Sequence, residues 1–161
     1  MFDAEAGFDS LRSQVLEDGI AFGTDNPVNP GLEDAIRATL EHSHPSAIDP
    51  VAVVLLEQTP RQVADLRDLA QDLQLETGYD TVIVRTPHVA AAVSDHLTRH
   101  QIETAQRAMA AEPDYPEGLR VFIDTAQTAS WNWGLVAVAI LAGIVLVVAV
   151  TVRQAARAAE R

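Results

Sequence analysis

The chain has 161 residues, no cysteine, no lysine and a formal net charge of −12. Up to Ser130, 22 acidic residues stand against 8 arginines, a balance that repels phosphate backbones and anionic headgroups and sets nucleic acid aside as a partner. Without cysteine there are no disulfides, thiolate metal sites or cysteine nucleophiles, and without lysine there is no Schiff base and no Walker-type phosphate lysine.

The first 22 residues contain Asp3, Glu5, Asp9, Glu17 and Asp18. They have neither the basic start nor the apolar run of a signal peptide. Residues 1–8 read as a tail. Asp9–Glu17 reads as a short helix with Leu11, Val15 and Leu16 on one side, and Gly19–Phe22 as a short strand. Asn26–Gly31 is turn-rich, and Asn29-Pro30 has the form of an N-cap followed by proline at the first helical position. Leu32, Ile36 and Leu40 continue that helix to about Glu41, and His42–Pro50 reads as a polar loop.

Val51–Leu56 is apolar throughout, as suits a central strand covered on both faces. Thr59-Pro60-Arg61-Gln62 has the pattern of a capping box, and Val63, Leu66, Leu69, Ala70 and Leu73 keep helical spacing up to Gly78. Thr81–Val84 is the next strand, so Val51–Arg85 reads as a strand–helix–strand crossover with parallel strands. Thr86-Pro87 echoes Thr59-Pro60. A third helix is therefore expected from there, with Val89, Val93 and Leu97 aligned, a phase slip before Ile102, and an end near Ala111. Glu112–Gly118 reads as a loop, Leu119–Asp124 as an apolar element of open type, and Thr125–Ser130 as a polar linker.

Gly134–Val152 is 19 residues without a charge, 12 of them Leu, Ile or Val. At ~1.5 Å per residue it spans roughly 28 Å, close to a bilayer core. Trp131 and Trp133 open it, and Arg153, Arg157 and Arg161 follow it. That is the arrangement of an interfacial aromatic end and a cytoplasmic basic end. The lipid bilayer is thus the first expected partner. Ala139 and Gly143 form a small-xxx-small pair through which two such helices would pack in weak self-association, although alanine-rich spans produce such pairs by chance. The arginines put the domain outside the cytoplasm, whereas the lack of an export signal argues the other way, so the residues leave sidedness open. The organisation is a tail (1–8), an acidic soluble α/β domain (9–124), a linker (125–130), a transmembrane helix (131–152) and a basic tail (153–161). The fold class is α/β, a small parallel or mixed sheet with flanking helices, plus one C-terminal transmembrane helix.

In an open parallel sheet, ligands gather beyond the carboxyl ends of the strands. Here those ends carry Thr59 and, on the next strand, Thr86 and His88. Helix capping is the simpler role for both threonines. His96, His100 and Glu103 would share a face if one continuous helix held them, as metal ligands must. Leu97 stands where a zinc-protease motif needs glutamate, and a solvated polar stripe is the simpler reading. No G-x-S-x-G, glycine-rich phosphate loop or S-x-x-K occurs, so no cofactor and no enzyme class is indicated.

The order of features resembles a small actinobacterial family, found in corynebacteria and mycobacteria, of C-terminally anchored membrane proteins. The shared features are Val51–Leu56, Val82–Val84 with Thr86-Pro87 and Val89, Ser94-Asp95, Ile102-Glu103-Thr104-Ala105, Phe122, and a tryptophan opening the span. The resemblance adds Ser94 and Asp95 to Thr59, Thr86 and His88 as a candidate ligand or partner surface. The family is distantly similar to the TPM domain, some members of which are acid phosphatases with a cation-binding acidic site. It is also associated with NlpC/P60 cell-wall endopeptidases. The resemblance therefore implies an envelope role with protein partners there, an extracytoplasmic domain, and, as the alternative, a divalent-cation-dependent hydrolase.

Overall fold

A computed structural model of the protein describes residues 4–43, 48–128 and 141–144. The chain divides into two compact units, Met1–Ala129 and Ser130–Arg161. In the first, nine elements follow in order: α1 (Ala4–Asp18), β1 (Ile20–Phe22), α2 (Asn29–Ser43), β2 (Val51–Leu55), α3 (Val63–Thr77), β3 (Thr81–Arg85), β4 (Ala90–Ser94), α4 (Arg99–Ala111) and α5 (Tyr115–Thr128).

The sheet runs β1-β2-β3-β4, with the first three strands parallel and β4 antiparallel to β3. It is a mixed α/β sheet covered on both faces. Every residue of β2 and β3 is buried, which is why Val51–Leu55 reads as an unbroken apolar run rather than an alternation. Alternate residues serve two cores. Ala52, Val54, Val82 and Val84 meet Leu11 and Val15 of α1 and Leu66, Ala70 and Leu73 of α3. Val51, Val53, Leu55 and Ile83 meet Ile36 of α2, Met109 of α4 and Leu119, Phe122 and Ile123 of α5. Phe122 and Ile123 are fully buried, each contributing about 1.5–3 kcal/mol by removal from water. Gly78 ends α3 in the left-handed region at φ 75°, donating its N–H to the Gln74 carbonyl at 3.1 Å, as its place after the apolar stripe implies.

Several elements differ from the sequence reading. The first helix starts at Ala4 rather than Asp9, and Leu16 is exposed. The cap of α2 lies upstream of Asn29. Asn26 Oδ1 accepts the Val28 N–H at 3.2 Å, while Asn29 Nδ2 donates to the Thr24 carbonyl at 2.7 Å. Thr59 does not cap α3, which starts at Val63 with Gln62 as an N-cap that makes no side-chain bond.

The largest correction concerns the third helix expected after Thr86-Pro87. Thr86–Val89 is a tight turn and Ala90–Ser94 is a strand. The spacing of Val89, Val93 and Leu97 imitates a helix. Tertiary pairing with β3 overrides the helical preference of three alanines, and Ala90 to Val93 are buried between α3 and α4. The phase slip before Ile102 marks the true helix start. There Thr98 accepts the Gln101 N–H and the Gln101 side chain accepts the Thr98 N–H, a complete capping box. The open-type element around Leu119–Asp124 is part of α5. Asp114 Oδ1 caps it through the Glu117 N–H at 2.9 Å, and Pro116 fits its first turn. Residues 125–128 of the expected linker also belong to α5. Gly118 sits where an added Cβ would lie 3.3 Å from the Met109 carbonyl oxygen, so the absent side chain lets α5 close on the end of α4.

Among the described residues no helix is long and apolar enough to cross a membrane. Trp131, Trp133, Gly134, Ala139, Val152 and Arg153 lie outside the described residues. Residues 141–144 of the second unit are helical, and Leu141 and Ile144 are exposed there.

Candidate functional site at the carboxyl ends of the parallel strands

The parallel strands β1, β2 and β3 end side by side. Gly23 donates to the Leu55 carbonyl at 2.9 Å and Leu56 to the Arg85 carbonyl at 2.8 Å, which carries the ladder just past the strands. Beyond it lie two clefts that share Gly23 and Thr24. One, about 440 Å³, opens between the strand ends and the helices α1 and α2, with Gln14, Asn26 and Glu33 on its wall. The other, about 380 Å³, is walled by Leu56, Pro60, Leu66 and Leu69, with Glu57, Thr59 and Asp65 at its rim. This is where an open α/β sheet presents a binding crevice.

Polar groups at the crevice are largely committed to one another. Asn26 Nδ2 donates to Glu57 Oε1 at 2.8 Å while the same side chain's oxygen holds the Val28 N–H. Hydrogen bonds from Asn26 and then Thr24 hold the Glu57 carboxyl below its ordinary value, so it is ionised at neutral pH and poorly suited to take up a proton. Thr59 Oγ1 donates to Thr86 Oγ1 at 2.8 Å. Thr86 is fully buried and closes the following turn, its hydroxyl accepting the Val89 N–H at 3.2 Å. The two sequence-matched threonines thus tie adjacent strand ends together, a structural role.

The remaining candidates are not brought to this crevice. His88 is exposed and lines a hollow of about 270 Å³ with Glu103 and Arg107. Because β4 runs antiparallel, Ser94 and Asp95 lie at the opposite end of the sheet. There Ser94 Oγ meets Thr81 Oγ1 at 2.8 Å, and Gln74 donates to Asp95 at 3.2 Å. The shared helical face expected for His96, His100 and Glu103 does not form. His96 precedes α4, and its Nε2 lies 2.8 Å from Asp80 Oδ2. Glu103 is bonded by Arg99 at 2.7 Å, which holds its carboxyl below the ordinary value. Among the described residues no three His, Asp or Glu side chains are grouped to hold a metal ion.

Arg85 is the residue that the sequence reading passed over. It ends β3, is fully buried, and donates through Nη2 to the Glu112 carbonyl at 2.8 Å. Its guanidinium lies 5.4 Å from the centroid of the Tyr115 ring, yet Nε and Nη1 have no hydrogen-bond partner. Burial pulls its pKa below the ordinary value, against the opposing pull of Tyr115 and Glu112. An arginine closing an otherwise apolar strand was the available signal.

No curated protein and no solved structure matches the chain significantly. A family model described as "Membrane protein Rv1476" matches residues 4–161, and the chain belongs to that family of membrane proteins.

Proposed function

We propose that this protein is a membrane-tethered, non-enzymatic interaction module of the actinobacterial cell envelope. In this reading a single apolar helix, Gly134–Val152, spans the bilayer, with Trp131 and Trp133 at one interface and Arg153 past the other. The acidic domain faces outward and meets cell-wall proteins, peptidoglycan hydrolases among them. The observation that carries it is the strand-end crevice. In its second cleft Glu57 is bonded to Asn26 and Thr59 to Thr86, beside apolar walls of Leu56, Pro60, Leu66 and Leu69, the chemistry of a surface that binds rather than reacts. Membership in a membrane protein family supports the tether. The exposed Leu141 and Ile144 within the span are consistent with an apolar surrounding.

Reporter fusions at both termini, read in intact cells, test the arrangement. An active external reporter at the N-terminus and an internal one at the C-terminus are expected, and both on the cytoplasmic side would end the envelope reading. Phosphatase assays on the full chain in detergent, with and without divalent cations, test the second half. Hydrolysis that needs the cation and disappears in Asp95→Asn would replace the module with a TPM-like hydrolase.

A further inference from the structure

The two edges of the sheet are treated differently. On β1, three of the four groups facing away from β2 are bonded by side chains. Asp18 Oδ1 accepts the Ile20 N–H at 3.0 Å. The Gln14 amide takes the place of a neighbouring strand at Phe22, accepting its N–H at 3.0 Å and donating to its carbonyl at 3.2 Å. This is the closure that prevents an edge from recruiting another strand.

The β4 edge is buried, with Ala90 7% and Ala92 2% exposed, but among the described residues most of its outward backbone groups are left unbonded. Thr86 donates to Val89 and Asp95 to Asp80, so the alternation of the antiparallel ladder turns the N–H and C=O groups of Ala90, Ala92 and Ser94 away from β3. Among the described residues only the Ala92 carbonyl finds a side-chain partner, the Gln106 amide at 3.2 Å. Beside this edge runs a groove of about 540 Å³, with Val63 and Arg67 of α3 on one wall and Leu97, Arg99 and Ile102 around the other. It adjoins the hollow holding Arg107 and His88. Arg67, Arg99 and Arg107 all act on the one carboxylate lining both, Glu103. Arg99 and Arg107 are 82% and 75% exposed, so their charge is available to a ligand. In a domain this acidic, three arginines against one glutamate form a local positive rim.

We infer that β4 is a docking edge for an extended acidic peptide segment of a partner protein, added as a fifth strand in the groove between α3 and α4. Main-chain bonds to Ala90, Ala92 and Ser94 hold the peptide. Its alternate side chains reach opposite walls, the acidic set toward Arg99 and Arg107 of α4 and the apolar set toward Val63 of α3. Gln106 is the plug that swings aside on binding. The inference rests on the module reading above and names the surface through which that module acts.

The test is hydrogen exchange on the full chain in detergent micelles, with a blocked heptapeptide alternating glutamate and valine as probe. At saturation the amides of Ala90, Ala92 and Ser94 are expected to slow by about tenfold or more. A lysine–valine peptide should leave them unchanged. The double variant Arg99→Glu, Arg107→Glu changes only exposed positions and should abolish the protection, whereas Gln106→Ala should lower the peptide concentration required. Unchanged exchange, or equal protection by the lysine peptide, overturns the inference. So does protection that rises with protein concentration in the absence of peptide, because a second copy then occupies the edge. An unprotected edge in a protein whose external domain still crosslinks to cell-wall proteins removes this surface alone. Cation-dependent phosphatase activity removes the module reading and leaves the edge result standing.

Discussion

Replacing Arg85 by methionine should leave the domain about as stable as before, within about 2 kcal/mol, although the side chain is fully buried and charged. The loss has two parts. A hydrogen bond from a charged donor to the Glu112 carbonyl is worth about 1.5–3 kcal/mol, and the contact with the Tyr115 ring about 0.5–2 kcal/mol. Against it stand Nε and Nη1, each buried without a partner, at about 1–3 kcal/mol apiece. Methionine fills much of the same volume with a flexible apolar chain and removes both unpaired atoms. Arg85→Ala removes them too but leaves a void, and should fall below the methionine variant by about 2–4 kcal/mol. Urea unfolding of the full chain in detergent, followed by far-ultraviolet circular dichroism, gives both differences if the slope is unchanged. A methionine variant destabilised by more than about 3 kcal/mol would refute the reasoning, because the guanidinium would then be worth more than its visible partners provide.

Gln14→Ala should cost about 1–3 kcal/mol, since it strands the Phe22 N–H and carbonyl together, and should introduce concentration-dependent self-association through the opened β1 edge. Urea unfolding and sedimentation measure the two effects, and a variant unchanged in both would show that water replaces the amide. Asn26 and Thr24 hold Glu57 below its ordinary value of 4.5. The folded form therefore gains stability from ionised Glu57 that is fully present above 4.5 and is lost as the pH falls through the lowered folded value. Melting temperatures of wild type and Glu57→Gln should converge as the solution is acidified from about pH 6 to about pH 3, and parallel curves would sink the assignment.

The parts of the fold legible in the sequence are those where local chemistry and tertiary placement agree. Val51–Leu55 is apolar because both faces of β2 are covered, and Gly78 stands where α3 needs a left-handed residue. Strand β4 was illegible because Ala90–Ala92 favours a helix in isolation, and only pairing with β3 makes it a strand. Its end was nevertheless written in Thr98 and Gln101, a Ser/Thr-x-x-Glu/Gln signature directly ahead of α4. The candidate site was half legible. Placing ligands beyond the strand ends depended on topology, and clefts do lie at that end of the sheet. Ser94 and Asp95 were added to the site by the family resemblance, and the antiparallel course of β4 carries them to the other end of the sheet. The Glu57–Asn26 bond spans 31 residues and the Gln14 contacts join a side chain to a strand backbone, so no periodicity reports either.

The unequal edges also limit stoichiometry. A sheet with two open edges can stack end on end without limit, and in the plane of a membrane such growth would build filaments. Here the amide of Gln14 acts as a terminator on one side. Two copies joined β4 to β4 would use up both of these edges, so assembly of this chain by strand addition there stops at a pair.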